Sequence, residues 1–248
     1  SHNPQSGFSL VEILVAMTLS LVLLGGTIVI YASSKDSYRL QENIAGMQEN
    51  ARFAIHALRR DLEMAGFPWE QDITPFAVNG DTLIGNIEVT TDGGGNVSDI
   101  VTIQYQSDAP SNRDCQGAVI ADGSLIINQY SINNGELRCL GSGNPTRPLT
   151  LVENIDNLQV LYGIDSDIDG SANLYVTATE VDAGIINAGT PDWDRVVSLR
   201  LALLVASDTS TNSASKDFTL LDAPTITKDD GRIYRVFTAT IPLRNRIP

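Results

Sequence analysis

Residues 7–31 read GFSLVEILVAMTLSLVLLGGTIVIY, a long apolar run with a single carboxylate near its start. From Phe8 to Tyr31 the chain carries one charge, Glu12, and two glycines, Gly25 and Gly26. A helix over these residues is roughly 36 Å long, enough to cross a hydrocarbon core of about 30 Å. A cleaved secretory signal has a shorter apolar stretch of about 7–15 residues with a small-residue cut site after it. A plain single-span anchor fits the length but leaves Glu12 unexplained. A carboxylate at mid-bilayer costs about 2.5–3.5 kcal/mol on insertion scales. Near one end of the span it can snorkel to the interface; the alternative is that it meets a cation in an assembled state.

Beyond Tyr31 the chain becomes polar and stays so. Its 248 residues suffice for one large domain or two small ones, and 42% hydrophobic with 19% charged residues suits a globular core. Acidic residues outnumber basic ones 30 to 16, for a net charge of -14. Nucleic-acid affinity comes from clustered Lys and Arg, so no nucleic-acid partner is expected. The exception would be a local patch formed by Arg232, Arg235, Arg244 and Arg246. Two cysteines and two histidines, His2 and His56, leave little for zinc or triad chemistry, and no nucleophile-and-base arrangement stands out. The composition points away from an enzyme.

From Tyr38 to Ala65 apolar residues recur at Leu40, Ile44, Met47, Ala51, Ala54, Leu58, Leu62 and Ala65, the stripe of an amphipathic helix. Packing on the protein's own sheet is favoured over a coiled-coil seam, because strands follow at once. Gly66-Phe67-Pro68 stops the helix, and Gly25-Gly26 and Ser33-Ser34 are where it is expected to bend. His56, on this helix and without a metal-spaced partner, reads as structural. Strands are predicted at 82–90, 99–106, 124–132, 158–163, 195–206 and 233–243, with turn-rich gaps at 92–96, 141–148 and 207–216. Gly93–Gly95 lacks a following Gly-Lys-Ser/Thr and reads as a hairpin turn, not a phosphate loop. The expected class is α+β, one long N-terminal helix followed by an antiparallel sheet-rich head.

The run GFSLVE from Gly7 to Glu12, heading a long apolar segment, closely resembles the signal of type IV pilins and type II secretion pseudopilins. The resemblance implies cutting by prepilin peptidase between Gly7 and Phe8 and N-methylation of Phe8. It also implies a role in assembly for Glu12, which pairs with a neighbour's α-amine and so offsets the burial of both charges. Leaders of this family usually carry Lys or Arg. Ser1–Gly7 has only His2 and lacks a starting Met, so the leader is expected to extend further upstream. Four body stretches are similar to the PilW family of minor pilins: RFAIHALRRDLEMAGF (52–67), LQVLYGIDSDIDGSANLYV (158–176), WDRVVSLRLALLVAS (193–207) and YRVFTATIPLRNR (234–246). The last two also resemble the minor pseudopilin J of type II secretion.

This implies a type IV pilin-like fold with a leader at 1–7, a membrane and filament-core helix at 8–31, its amphipathic continuation at 32–66 and a β-rich periplasmic head at 67–248. The implied function is that of a non-catalytic minor pilin in a priming or tip complex. Its partners would be other minor pilins and the major pilin through the helix, prepilin peptidase, the inner membrane before assembly, and a tip adhesin. The alternatives are a type II secretion pseudopilin and a calcium-dependent tip adhesin subunit.

Two further features bear on chemistry. In an oxidising periplasm Cys115 and Cys139 are expected to form a disulfide worth roughly 3–3.5 kcal/mol, against the alternative of two buried thiols. Asp165-Ser166-Asp167-Ile168-Asp169-Gly170-Ser171 reads as the first half of a calcium loop. Asp165, Asp167, Asp169 and the Ser171 carbonyl are its candidate ligands, but Val176 stands where such a loop has a bidentate glutamate. Glu180 or Asp182 would have to substitute. No cofactor is required, and Ca2+ is the one this loop would take; the other reading is a polar turn between strands. Asp192-Trp193-Asp194 reads either as an exposed acidic-aromatic contact or as a turn before the next strand.

Overall fold

The computed structural model describes residues 9–68, 73–81, 83–94, 96–109, 112–211 and 213–246. The chain divides into two compact units, Ser1–Ala45 and Gly46–Pro248. The described part of the first is helix. α1 (Leu10–Leu62) begins there and continues into the second unit, and both Gly25-Gly26 and Ser33-Ser34 stay α-helical. Its apolar side chains from Leu10 to Tyr31 are exposed, and it is the one helix among the described residues long and apolar enough to span a membrane.

Among its described residues the second unit holds the end of α1 and ten strands: β1 (Val101–Gln106), β2 (Leu125–Asn133), β3 (Glu136–Gly141), β4 (Leu149–Glu153), β5 (Ile155–Ile164), β6 (Leu174–Val176), β7 (Val196–Ala206), β8 (Lys216–Phe218), β9 (Ile226–Lys228) and β10 (Tyr234–Pro242). A short helix, α2 (Ala178–Ala183), lies between β6 and β7. Two four-stranded sheets run in the orders β1-β2-β3-β4 and β10-β7-β5-β6, with β8-β9 a separate pair; every pairing is antiparallel.

Met47, Ala51, Ala54, Leu58 and Leu62 of the predicted stripe are buried against both sheets, among Leu158, Val160, Leu201 and Leu203 and beside Tyr130 and Leu137. The alanines let the helix backbone approach closely, and each buried leucine contributes about 1.5–3 kcal/mol. Leu40 remains 43% exposed, so the stripe begins to pack at Met47, and His56 lies exposed on the outer face. Gly66, at φ +74°, ends the turns after α1, and its N–H donates to the Gln104 carbonyl. The centre strand β7 is buried on both faces: Leu199, Leu201, Leu203 and Val205 join the α1 core, while Ala202, Leu204 and Ala206 pack on Phe218, Leu220 and Ile226.

Five of the six predicted strands are present within a few residues of their expected limits. The stretch expected at 82–90 is not a strand; its residues 83–90 are irregular. Gly85 turns the chain at φ +65°, and the backbone groups that a ladder would use are taken elsewhere. Glu88 N–H donates to Gln129 Oε1, and the Glu88 carbonyl accepts Thr102 Oγ1. β3 and β4 were not expected. Asn134 and Gly135, with φ of 54° and 75°, form the two-residue hairpin between β2 and β3, the residue pair that this turn favours. Asn154, at φ 62°, is the single residue by which the chain leaves β4 in one sheet and enters β5 in the other.

Candidate functional site: the assembly helix, the disulfide corner and the acidic loop

Gly7 and Phe8 lie outside the described residues. Immediately after them the Ser9 carbonyl accepts the N–H groups of Glu12 (3.0 Å) and Ile13 (3.2 Å) and starts the helix. Glu12 heads a stripe formed with Ile13, Ala16, Met17, Ser20, Leu21 and Leu24. The hydroxyls in this run cost nothing in an apolar setting, because each donates back into the helix: Thr18 to the Val15 carbonyl, Ser20 to Ala16 and Thr27 to Leu24. The Glu12 carboxylate has no such partner among the described residues. It is the one charge on a surface otherwise fitted to an apolar environment.

In the head, Cys115 and Cys139 are disulfide-bonded, with their Cα atoms 6.3 Å apart. Cys139 sits in β3, and Cys115 lies in the loop between β1 and β2. Beside the bond runs a buried polar chain. Cys115 N–H donates to Asn128 Oδ1, and Asn128 Nδ2 donates to Asp61 Oδ2 at 2.8 Å, which also accepts the Tyr130 hydroxyl at 2.5 Å. Asp114 receives the N–H groups of Gln116, Ala118 and Gly143 and closes the corner. Burial first, and then the charge of Asp61, pushes the Tyr130 phenol well above its ordinary pKa, so it remains a donor. Asp61 was not picked out from the sequence, though it continues the seven-residue step Met47, Ala54 on the buried face of α1.

The acidic loop brings its three aspartates together: Asp165, Asp167 and Asp169 each offer an oxygen, all within 4.8 Å of one another. Asp165 is buried and fixed, with Oδ1 accepting Ile168 N–H (2.6 Å) and Asp169 N–H (3.3 Å) and Oδ2 accepting Gly170 N–H (2.8 Å). Desolvation pushes its pKa up, but the backbone donors of Gly170, Ile168 and Asp169 outweigh that and hold the carboxyl below its ordinary value. Gly170, at φ +85°, makes the turn, and Ser171 N–H donates to Asp169 Oδ1. Among the described residues no fourth carboxylate joins the cluster. Glu180 accepts Thr177 N–H as part of the capping box of α2, and Asp182 is held by Trp193 Nε1 and Asn79.

Other sequence expectations are corrected. Asp192-Trp193-Asp194 is not an exposed contact. Trp193 is buried in a ring cluster with Phe76 and Tyr162, and buried Asp192 accepts the N–H groups of Ile185 and Ile186. It forms a 3-10 turn into β7, which agrees with the second reading. The four arginines do not make a patch. Arg232 donates to the Ser207 carbonyl and Asn154 at one end of β10, while Arg244 pairs with Glu63 and Arg246 with Asp194 past the other. Asp99, unremarked in the sequence, is buried between Gly93 N–H and Val160 N–H and ties the glycine turn to β5.

Comparison with known proteins agrees with this geometry. Residues 2–28 match the model of the prokaryotic N-terminal methylation motif. No curated protein matches the sequence. Among solved structures, a type IV-like pilin from Thermus thermophilus is similar at a TM-score of 0.51 and 17% identity, over 81% of this chain and 97% of that one. The GspK-GspI-GspJ complex of the enterotoxigenic Escherichia coli type 2 secretion system matches at a TM-score of 0.37 and 14% identity, over 80% and 97%, too low to carry weight. Residues 119–245, just over half of the chain, match the model of type IV pilus-assembly protein W. The fold is type IV pilin-like, and the chain belongs to the PilW family.

Proposed function

We propose that the protein is a minor pilin that takes part in type IV pilus assembly, a non-catalytic subunit of a priming or tip complex with other minor pilins. The observation that carries this is the joining, in one chain, of an N-terminal methylation motif, an exposed apolar helix with an unpaired Glu12, and a PilW-type head. In this reading prepilin peptidase cuts between Gly7 and Phe8, Phe8 is methylated, and Glu12 pairs with the α-amine of a neighbouring pilin. The chain starts in the inner membrane with its head in the periplasm. It then enters the filament near the tip, with other minor pilins, the major pilin and a tip adhesin as partners. Intact-mass and N-terminal analysis from native membranes, with pilus counts in wild type and Glu12→Ala, tests this. Methylated Phe8 with fewer pili in the variant is expected. An unprocessed N-terminus, or unchanged pili, overturns it.

A second reading concerns the acidic loop, as a calcium site formed by Asp165, Asp167, Asp169 and the Ser171 carbonyl. The convergence of the three carboxylates supports it. Without a fourth carboxylate, binding belongs in the weak range of about 10⁻⁴–10⁻³ M. Calorimetric titration with CaCl2 should show heat that Asp167→Asn removes; no heat at millimolar calcium rejects the site.

A further inference from the structure

We propose that the outer edge of β10 is a docking edge, which takes an extended β-strand from the head of a different pilin-like subunit. This rests on the assembly role above. The register of β10 on β7 is unbroken from Tyr234↔Ala206 to Pro242↔Ser198. Just beyond its two ends, Leu243 N–H donates to the Val197 carbonyl and Ser207 N–H to the Ile233 carbonyl. In an antiparallel ladder these bonds fix the phase. The odd residues from Ile233 to Leu243 turn their N–H and C=O toward β7. The even residues Tyr234, Val236, Thr238 and Thr240 turn theirs away, and among the described residues these groups have no partner. The result is a row of alternating donors and acceptors that repeats about every 6.8 Å.

The other edges are covered, interrupted or short, and β8 and β9 are three residues each. β1 is covered by backbone bonds with Gly66, Phe67, Pro75 and Ala77. β4 carries a register break against Leu137/Arg138, and its Glu153 carbonyl accepts Asn50 Nδ2. β6 is three residues long. Long, regular edges are normally blunted by such devices. β10, at nine residues, has only Pro242 at its far end.

The chemistry of the edge selects its occupant. Water satisfies these groups in the free head, and among protein ligands an extended backbone matches alternating N–H and C=O groups at that spacing. Half-buried Phe237 and Ala239 ask for apolar side chains on one face of the incoming strand, and exposed Thr238 and Thr240 for small polar ones on the other. Arg235 is exposed, and no acidic residue lies between Gly231 and Pro248, so an acidic residue on the incoming strand complements it. An antiparallel second copy of β10 does not fit. Antiparallel edge pairing places a two-fold axis normal to the sheet, so the Met47–Leu62 segments of two identical heads would run in opposite directions. Two heads tethered to one membrane through the N-terminal ends of those segments have them parallel.

The test is hydrogen exchange on the full-length protein in detergent, alone and co-purified with other minor pilins from the same cells. Alone, the amides of Tyr234, Val236, Thr238 and Thr240 should exchange fast while Arg235, Phe237, Ala239 and Ile241 are protected. In the complex the even set should slow at least about tenfold. Even amides that stay fast in a formed complex overturn the docking edge and leave the assembly role standing. A protein that forms no complex with those pilins, and whose N-terminus is unprocessed, overturns the assembly role and the edge with it. Thr238→Pro, which removes an outward N–H, should abolish co-purification while melting within about 2 °C of wild type; unchanged co-purification counts against the edge. Thr240→Pro repeats the test should Thr238→Pro fail to fold.

Discussion

Asp61 and Tyr162 show how differently two buried polar side chains bear on the fold. The Asp61 carboxylate accepts Tyr130 and Asn128 and sits beside exposed Arg60 at 3.4 Å. Asp61→Ala leaves two buried donors unpaired, and a buried unpaired group costs about 1–3 kcal/mol. Urea unfolding of the full chain should show a loss of that order. The Tyr162 hydroxyl is fully buried among Phe76 and Trp193 and has no hydrogen-bond partner among the described residues. Tyr162→Phe removes an unsatisfied group and leaves the ring in place, so its midpoint should equal or exceed that of wild type. A clear destabilisation would mean that the hydroxyl is bonded after all.

At the scale of the element, α1 does two jobs with one hydrogen-bonded backbone. From Leu10 to Tyr31 every large side chain is exposed, and from Met47 the apolar stripe is the spine of the core. Substitutions should therefore separate by position. Leu58→Ala, at a side chain only 2% exposed, should cost about 2–5 kcal/mol of head stability. Leu21→Ala, at 70% exposure, should leave head unfolding unchanged and reduce incorporation into pili. Equal effects of both on unfolding would contradict the division. The stripe was readable from its spacing, and so was its end at Gly66. The strands were readable where alternation coincided with a ladder, as in β7 and β10. Ile87 shows the failure: it is buried as an alternating strand residue would be, yet the backbone groups of its neighbour Glu88 bond to side chains of β1 and β2.

For the whole molecule, the net charge of -14 makes stability depend on which carboxyls the fold holds neutral. Burial, the largest cause, pushes Asp99 up to about 7 against the opposing bonds from Gly93 and Val160; Asp222 is also raised, by burial. Unfolded aspartate titrates near 4, so between about pH 4 and 7 the folded state holds more protons than the unfolded chain. Stability therefore falls as pH rises through that window, by no more than about 4 kcal/mol at about 1.4 kcal/mol per pH unit. Glu136, Asp165 and Asp230 have lowered pKa values and act oppositely, weakening the fold only as pH drops below about 4. Urea midpoints should be higher at pH 5 than at pH 7.5, and Asp99→Asn should flatten the difference. A slope that survives the substitution would place the effect elsewhere.

The parts of this protein whose physics is local are legible in the chain alone. A helix long enough for a membrane, a lone carboxylate in it, a stripe at helical spacing and a D-x-D-x-D-G turn each express themselves within a few residues. Tertiary structure decided what depends on partners distant in the chain. It put Trp193 in the core, because Phe76 and Tyr162 meet there. It gave Asp61 its two donors from β2, drew Glu180 and Asp182 away from the acidic loop, and left one edge of β10 open. Burial and edge pairing are set by which segments the sheets bring together, and neither periodicity nor composition encodes that meeting.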